Sequence, residues 1–202
     1  MFKSRLAVPV SVVVFFVLAL VWPTLRTYRR TGVWPVTLHR KGNPAQQVIG
    51  QAMGLSLAGV LAWALAYAVM GPAALGVWQA PAVVSAIGWS ILGLSLILLL
   101  VAQAQMGASW RIGIDASPTA LVTEGLFGVV RNPIFTAMLA MMLGLALVTP
   151  AAWTVLGWVY AATVIAIQTR HEEAHLEALH GETYRAYTAR VGRFLPGVGR
   201  GA

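Results

Sequence analysis

The sequence predicts an all-α integral membrane protein, with about five transmembrane helices and a C-terminal amphipathic helix on the cytoplasmic side. Three observations carry that prediction. Hydrophobic residues make up 58% of the chain and charged residues only 10%, with a mean hydropathy of +0.75, whereas soluble domains are roughly a quarter charged. The apolar residues gather into runs long enough to cross a bilayer. Basic residues alternate between present and absent from one loop to the next. The 202 residues read as a single membrane domain, 1–202. Within it, 1–104 supply three N-terminal spans, and 105–202 a long polar loop, a helical hairpin and the C-terminal helix.

The first apolar run, residues 6–22, follows Lys3 and Arg5 and ends in Leu20-Val21-Trp22-Pro23. No small-x-small cleavage site follows, so it reads as a retained, short membrane helix. Residues 48–70 and 82–104 come next, each about 23 residues and able to cross roughly 30 Å of hydrocarbon at 1.5 Å per residue. Residues 134–148 and 151–168 are shorter, and only Thr149-Pro150 separates them. They predict a tight hairpin that barely spans, or spans where the bilayer is thinned. Residues 168–191 predict one amphipathic helix. With Leu176 at the centre of a face, Leu179, Thr183, Tyr187 and Val191 fall within about 60° of it at 100° per residue. Glu172 and Glu173 flank that face one turn earlier, while Glu177, Glu182 and Arg185 lie off it on a solvated side.

Orientation follows from charge. Arg26, Arg29, Arg30, Arg40 and Lys41 occupy the first loop, Arg111 and Arg131 the third, and five arginines run from Arg170 onward. With five spans, all but Lys3 and Arg5 of the 14 basic residues share one side. The positive-inside rule makes that side cytoplasmic, with the N-terminus outside and the C-terminus inside. The formal charge of +8 sits in short loops beside apolar runs, which points to the bilayer and its anionic head groups rather than to nucleic acid. Gly50, Gly54 and Ala58 form a small-residue face on the second span, suited either to packing within the monomer or to a homodimer.

Several chemistries are excluded. The chain has no cysteine, hence no disulfide, thiolate nucleophile or cysteine-based zinc site. There is no G-x-G-x-x-G after a strand and no P-loop. What stands out is acidic. All six Asp and Glu residues lie at or after Asp115, and Glu172 and Glu173 are adjacent. Charge this close to hydrocarbon marks a functional site or a tie to Arg131 or Arg170. His171-Glu172-Glu173-Ala174-His175 fits the H-E-x-x-H zinc helix. However, the two imidazoles point to the polar flank, and only His180, Glu177 and Glu182 follow as a third ligand, so no metal site is expected.

The loop of about 28 residues from 105 to 133 is long for a compact domain, and such loops are usually functional. It carries Trp110-Arg111, Glu124-Gly125-Leu126-Phe127 and Arg131-Asn132-Pro133. Gly125 and Gly128 allow close approach of a ligand. Pro133 suits the first turn of the next helix, whose free amides beside Arg131 make a candidate anion site. Arg111 reads as a contact to lipid phosphate.

These residues together resemble the isoprenylcysteine carboxyl methyltransferase and phospholipid methyltransferase group of membrane enzymes. The pattern of that group runs Gly-Pro-Tyr, Arg-His-Pro-x-Tyr, a helical hairpin, Arg-x-x-x-Glu-Glu-x-x-Leu, Gly-x-x-Tyr-x-x-Tyr and Arg-Phe-x-Pro. Here it reads Gly125-Leu126-Phe127, Arg131-Asn132-Pro133-Ile134-Phe135, Glu172-Glu173 with Leu176, Gly181 with Tyr184 and Tyr187, and Arg193-Phe194-Leu195-Pro196, over about residues 103–196. The resemblance implies an S-adenosylmethionine pocket on the cytoplasmic side, built from the loop and the C-terminal helix, that methylates a lipid-like or isoprenoid-tailed acceptor at a carboxylate or an amine. It implies Arg131 and Glu173 as catalytic residues. It also implies Gly125, Leu126, Phe127, Arg131, Asn132, Pro133, Phe135, Glu172, Glu173, Tyr184 and Tyr187 around the cofactor. Three departures from the pattern matter: Asn132 replaces histidine, Phe135 replaces tyrosine, and the pair Leu126-Phe127 replaces Pro-Tyr, which puts the acceptor's identity in question. Two rivals share parts of the pattern, an NADPH-dependent sterol-type reductase and a non-catalytic scaffold held by the same Arg and Glu network.

Overall fold

The computed structural model describes residues 2–32, 34–35, 44–107 and 121–201, with side chains from Arg5 onward. Trp110, Arg111 and Asp115 of the third loop, and Arg40 and Lys41 of the first, lie outside the described residues. All regular structure among these residues is helical: α1 (Phe2–Phe16), a π turn (Val17–Val21), α2 (Trp22–Thr31), α3 (Pro44–Met70), α4 (Ala82–Met106), α5 (Pro133–Val148), α6 (Ala152–His180) and α7 (Glu182–Arg190). Four helical stretches are long and apolar enough to cross a membrane, namely Arg5–Thr31, Pro44–Met70, Ala82–Met106 and Ala152–His180, and Pro133–Val148 is a shorter apolar helix. The all-α membrane architecture is therefore as expected.

The first span does not end at Pro23. It passes through the π turn and continues to Thr31. A proline inside a helix deprives the carbonyl four residues back of its donor. Here that carbonyl is Ala19, and the side-chain amide of Gln103 on α4 donates to it at 2.9 Å. A buried glutamine from another helix thus replaces the missing backbone bond, and the stop signal is overridden.

Val8, Val12 and Phe15 of α1, Ala64 and Tyr67 of α3, Leu92 and Leu99 of α4, and Ala137, Met141 and Leu145 of α5 form the main core. α4 and α5 pack most intimately. A Cβ on Gly88 would stand 2.9 Å from the Gly144 carbonyl oxygen, and one on Gly144 would stand 2.9 Å from that of Gly88. This pair brings two backbones together. Of the stripe, Gly50 is buried, but Gly54 and Ala58 are exposed, and a Cβ on Gly54 would meet nothing within 4 Å. Large apolar side chains stay exposed along the spans, for example Leu65, Val69, Leu94 and Leu156. Such a belt belongs against lipid tails.

The hairpin turn is fixed by Thr154, whose hydroxyl donates to the Thr149 and Ala151 carbonyls and accepts from the Ala151 amide. α6 is not confined to residues 151–168. At 29 residues it is about 43 Å long by the 1.5 Å rise, some 13 Å more than the hydrocarbon needs. Its last turns, with Glu172 and Glu173, are length beyond what one crossing requires. It stops at Gly181, whose φ of 53° suits only glycine, and α7 follows at a new angle. The single helix expected over 168–191 is thus two. The break turns Tyr184 inward beside Tyr187, Val191 and Leu176, and leaves Thr183 and Leu179 exposed. Glu177 and Glu182 pair with Arg185 at 3.2 and 3.6 Å on the solvated side, as the periodicity predicts.

Candidate functional site

The chain segment before α5 pairs with the tail after α7. The Arg131 and Asn132 amides donate to the Gly192 and Arg193 carbonyls at 2.8 and 3.2 Å. The tail, which needed donors for its own carbonyls, has thus taken the two amides that precede the first turn of α5. Gly192 lets this happen, since a Cβ there would collide with the Leu195 carbonyl oxygen.

Arg131 and Glu173 meet at the centre of this knot. Arg131 Nε and Nη2 donate to Glu173 Oε1 at 3.0 and 2.9 Å. Nη2 also donates to the Gly199 carbonyl at 3.0 Å, and Nη1 to the carbonyls of Thr188, at 3.2 Å, and Val191. All five guanidinium N–H groups are committed to protein. The Arg131 side chain is 2% exposed and that of Glu173 is 14%. Glu173 Oε2 accepts from Arg193 Nε and Nη2 at 2.9 and 2.8 Å, and Asn132 Nδ2 approaches Oε1 at 3.5 Å. The carboxylate is clamped between two cations, and hydrogen bonding to it raises the Arg193 pKa. The pair faces inward, as a charge at the rim must when partners are at hand.

Glu172 points elsewhere, about 100° around α6 from Glu173. It is half-buried, and its Oε1 accepts from Gln168 Nε2 at 2.6 Å. Tyr187 is buried, and its hydroxyl donates to the Phe127 carbonyl at 2.6 Å, tying α7 to the 3₁₀ turn Gly125–Gly128. Burial pushes that phenol up to about 12, against the pull of the Arg131 charge. Tyr184, with its ring centroid 5.9 Å from that of Tyr187, is raised further by burial and by the Glu173 charge. Among the described residues its hydroxyl has no hydrogen-bond partner. Gly125, at φ 60°, lies against the Gln105 amide so closely that a Cβ would stand 2.5 Å from Nε2; the Leu126 amide donates to Gln105 Oε1 at 2.9 Å. Pro133 is fully buried, and Phe135 is half-buried on the first turns of α5.

The structure thus brings Arg131, Asn132 and Glu173 into one network, and Phe127, Tyr184 and Tyr187 into a second beside it. Glu172 stands apart with Gln168, and Gly125 and Leu126 rest on the end of α4. Sequence reasoning missed three participants. Arg193 was visible as part of Arg-Phe-x-Pro, and an adjacent acidic pair calls for more than one counter-cation. Gln168 occupies the arginine position of Arg-x-x-x-Glu-Glu. Gln105 gave no signal, because an amide at a span end is ordinary. Among the described residues no three His, Asp or Glu side chains gather as a metal-ligand set.

An open apolar groove of about 420 Å³ runs between the first half of α3 and the second half of α6, lined by Val48, Ile49, Ala52, Val164 and Ile167, with His171 at its end. His171 is the residue before Glu172, and at 100° per residue it lies about 160° around α6 from Glu173, so the groove opens on another face of the helix than the Arg131–Glu173 network.

No curated protein matches the chain. A family model of phospholipid methyltransferases matches residues 83–183, half of the chain, from the start of α4 into α7. Both acidic residues, the Arg131 segment and the hairpin fall inside that match. The chain is a membrane methyltransferase in the general sense, and it belongs to the phospholipid methyltransferase family, among the isoprenylcysteine carboxyl methyltransferase-like membrane enzymes that its motifs resemble.

Proposed function

We propose that this protein transfers a methyl group from S-adenosylmethionine to a lipid-like acceptor at the cytoplasmic rim of the bilayer. The observation that carries the reading is the inward-facing polar cluster on the last turns of α6, where Glu173 meets Arg131 and Arg193. The residues present fit the cofactor. Among the described residues Gln168 Oε1 is buried without a partner, the Tyr184 hydroxyl has none, and the Glu172 carboxyl pairs with no cation. These suit N–H and O–H donors and a positive centre, while Phe127, Tyr184 and Tyr187 offer aromatic walls.

Bound S-adenosylmethionine supplies an electrophilic methyl group for in-line displacement, a reaction in which placement and charge do most of the catalysis. Arg131 and Glu173 act here as positioning residues: with Arg193 they lock the tail, α6 and the start of α5 into one wall. Asn132, Pro133 and Phe135 form the α5 side of that wall, and Gly125, Leu126 and Phe127 form its floor against Gln105 and Tyr187. Glu172 supplies the acidic side of the pocket and can assist an amine nucleophile by holding its proton. The groove between α3 and α6 takes the acceptor's tail, since an apolar chain gains about 0.8 kcal/mol for each buried CH₂. A 2′-phosphate of NADPH would need free guanidinium donors near the site, and Arg131 has none.

Thermal unfolding of the full chain in nanodiscs, with S-adenosylhomocysteine and NADPH side by side, tests the reading. Stabilisation by S-adenosylhomocysteine is expected. Stabilisation by NADPH alone overturns the reading in favour of the reductase, and no shift with either favours the scaffold.

A further inference from the structure

Gln168 and Glu172 stand one turn apart on α6, and their geometry asks for something the protein does not supply. Gln168 is 1% exposed, and its Nε2 donates to Glu172 Oε1 at 2.6 Å. A carboxylate only accepts, so the amide nitrogen must face it and the amide oxygen must face away. That oxygen is buried and has no hydrogen-bond partner among the described residues. Buried carbonyl oxygens in native proteins are nearly always paired. Glu172 has no ion pair among the described residues, because Arg131 and Arg193, the cations of the neighbouring network, both bond to Glu173. The family pattern places arginine at position 168, where it would pair with Glu172 four residues on and cancel its charge. Glutamine holds the carboxylate in place and leaves the charge standing.

Two acceptors side by side, one of them a carboxylate, define their ligand. A carboxylate or phosphate would be repelled. A sulfonium would balance the charge but has no N–H for the amide oxygen. A protonated amine does both. We propose that Gln168 and Glu172 form a subsite for an N–H-bearing ammonium group, and that Gln168 is a specificity-determining residue there. Resting on the methyltransferase reading, that ammonium has two sources: the amino-acid end of the methyl donor, or an amine head group on the acceptor.

The test uses the full chain in nanodiscs as wild type, Gln168→Leu and Gln168→Arg. Leucine removes the amide in an apolar setting, and arginine cancels the Glu172 charge. The probes are S-adenosylhomocysteine, 5′-methylthioadenosine, which keeps the nucleoside and thioether but lacks the amine, and nanodiscs of ethanolamine-headed against glycerol-headed phospholipid. Both variants are expected to lose about tenfold or more in affinity for one amine-bearing probe, as for a charge-assisted hydrogen bond, and to keep 5′-methylthioadenosine binding within about twofold. Loss confined to S-adenosylhomocysteine assigns the ammonium to the donor. Loss of stabilisation by the ethanolamine lipid alone assigns it to the acceptor. An equal loss for 5′-methylthioadenosine marks a merely structural residue and overturns the proposal, as does unchanged binding of every amine-bearing probe. Wild-type protein that binds neither nucleoside overturns the methyl-donor reading instead, and the lipid arm alone then decides the subsite.

Discussion

Glu173 and Glu172 are neighbours with opposite circumstances, and that contrast gives a prediction at the scale of single residues. Glu173 lies between two guanidiniums, one of them on a side chain only 2% exposed. Removing its charge by Glu173→Gln leaves Arg131 buried without a counter-ion, a change that typically costs about 3–5 kcal/mol. Glu172→Gln replaces a carboxyl that pairs with no cation among the described residues, so the folded state should lose little or gain. Thermal unfolding of both variants in the same detergent checks this: a large drop is expected for Glu173→Gln and little change for Glu172→Gln. The reverse order would mean that the clamp is not what holds the tail. The pairing of Arg131 with Glu173 was legible in the sequence because a charge near hydrocarbon must find an opposite charge, and few were on offer. The state of Gln168 was not legible, since an amide is donor, acceptor or both according to neighbours that only the fold assembles.

At the scale of elements, apolar run length located every span, and local stop signals misled. Proline after Trp22 marks a helix end in isolation, yet Gln103 supplies the donor that Pro23 withholds, and the helix continues. Gly181 looked tolerable inside a periodic stripe, yet its positive φ ends α6 and re-aims the tyrosines. The stripe on α3 is split, with Gly50 buried and Gly54 and Ala58 exposed, whereas the close approach of α4 and α5 rests on Gly88 and Gly144, which share no motif because they lie on different helices. Gly144→Val would place a Cβ 2.9 Å from the Gly88 carbonyl oxygen and 3.0 Å from Leu92 Cγ. Overpacking of this kind costs about 1–3 kcal/mol. Gly54→Val, where a Cβ meets nothing within 4 Å, should stay within about 0.5 kcal/mol of wild type. Equal destabilisation of the two variants would show that the α3 face is packed after all.

The whole molecule has two ends of different character, and the contacts say which segments share each end. Arg131 bonds to Val191 and Gly199, so the third loop and the C-terminal tail lie together. Arg5 packs over Gly71, and the Trp78 amide donates to the Pro150 carbonyl at 2.8 Å, so the start of α1, the loop at 71–81 and the hairpin turn gather at the other end. This is the alternation that the basic residues drew in the sequence, where a rule about charge and membrane sides stood in for contacts not yet known. Contacts fix which segments belong together, and the charge rule adds the side. The end that holds the polar networks carries most of the arginines and should face the cytoplasm. Because the chain has no cysteine, single reporters can be placed without background. Trp78, 61% exposed, and Val198, 60% exposed, sit at opposite ends. In sealed right-side-out vesicles a membrane-impermeant maleimide should label Trp78→Cys at once, and Val198→Cys only after permeabilisation. Immediate labelling of Val198→Cys with protection of Trp78→Cys would turn the protein over and put the proposed donor pocket on the side away from the cytoplasmic supply of S-adenosylmethionine.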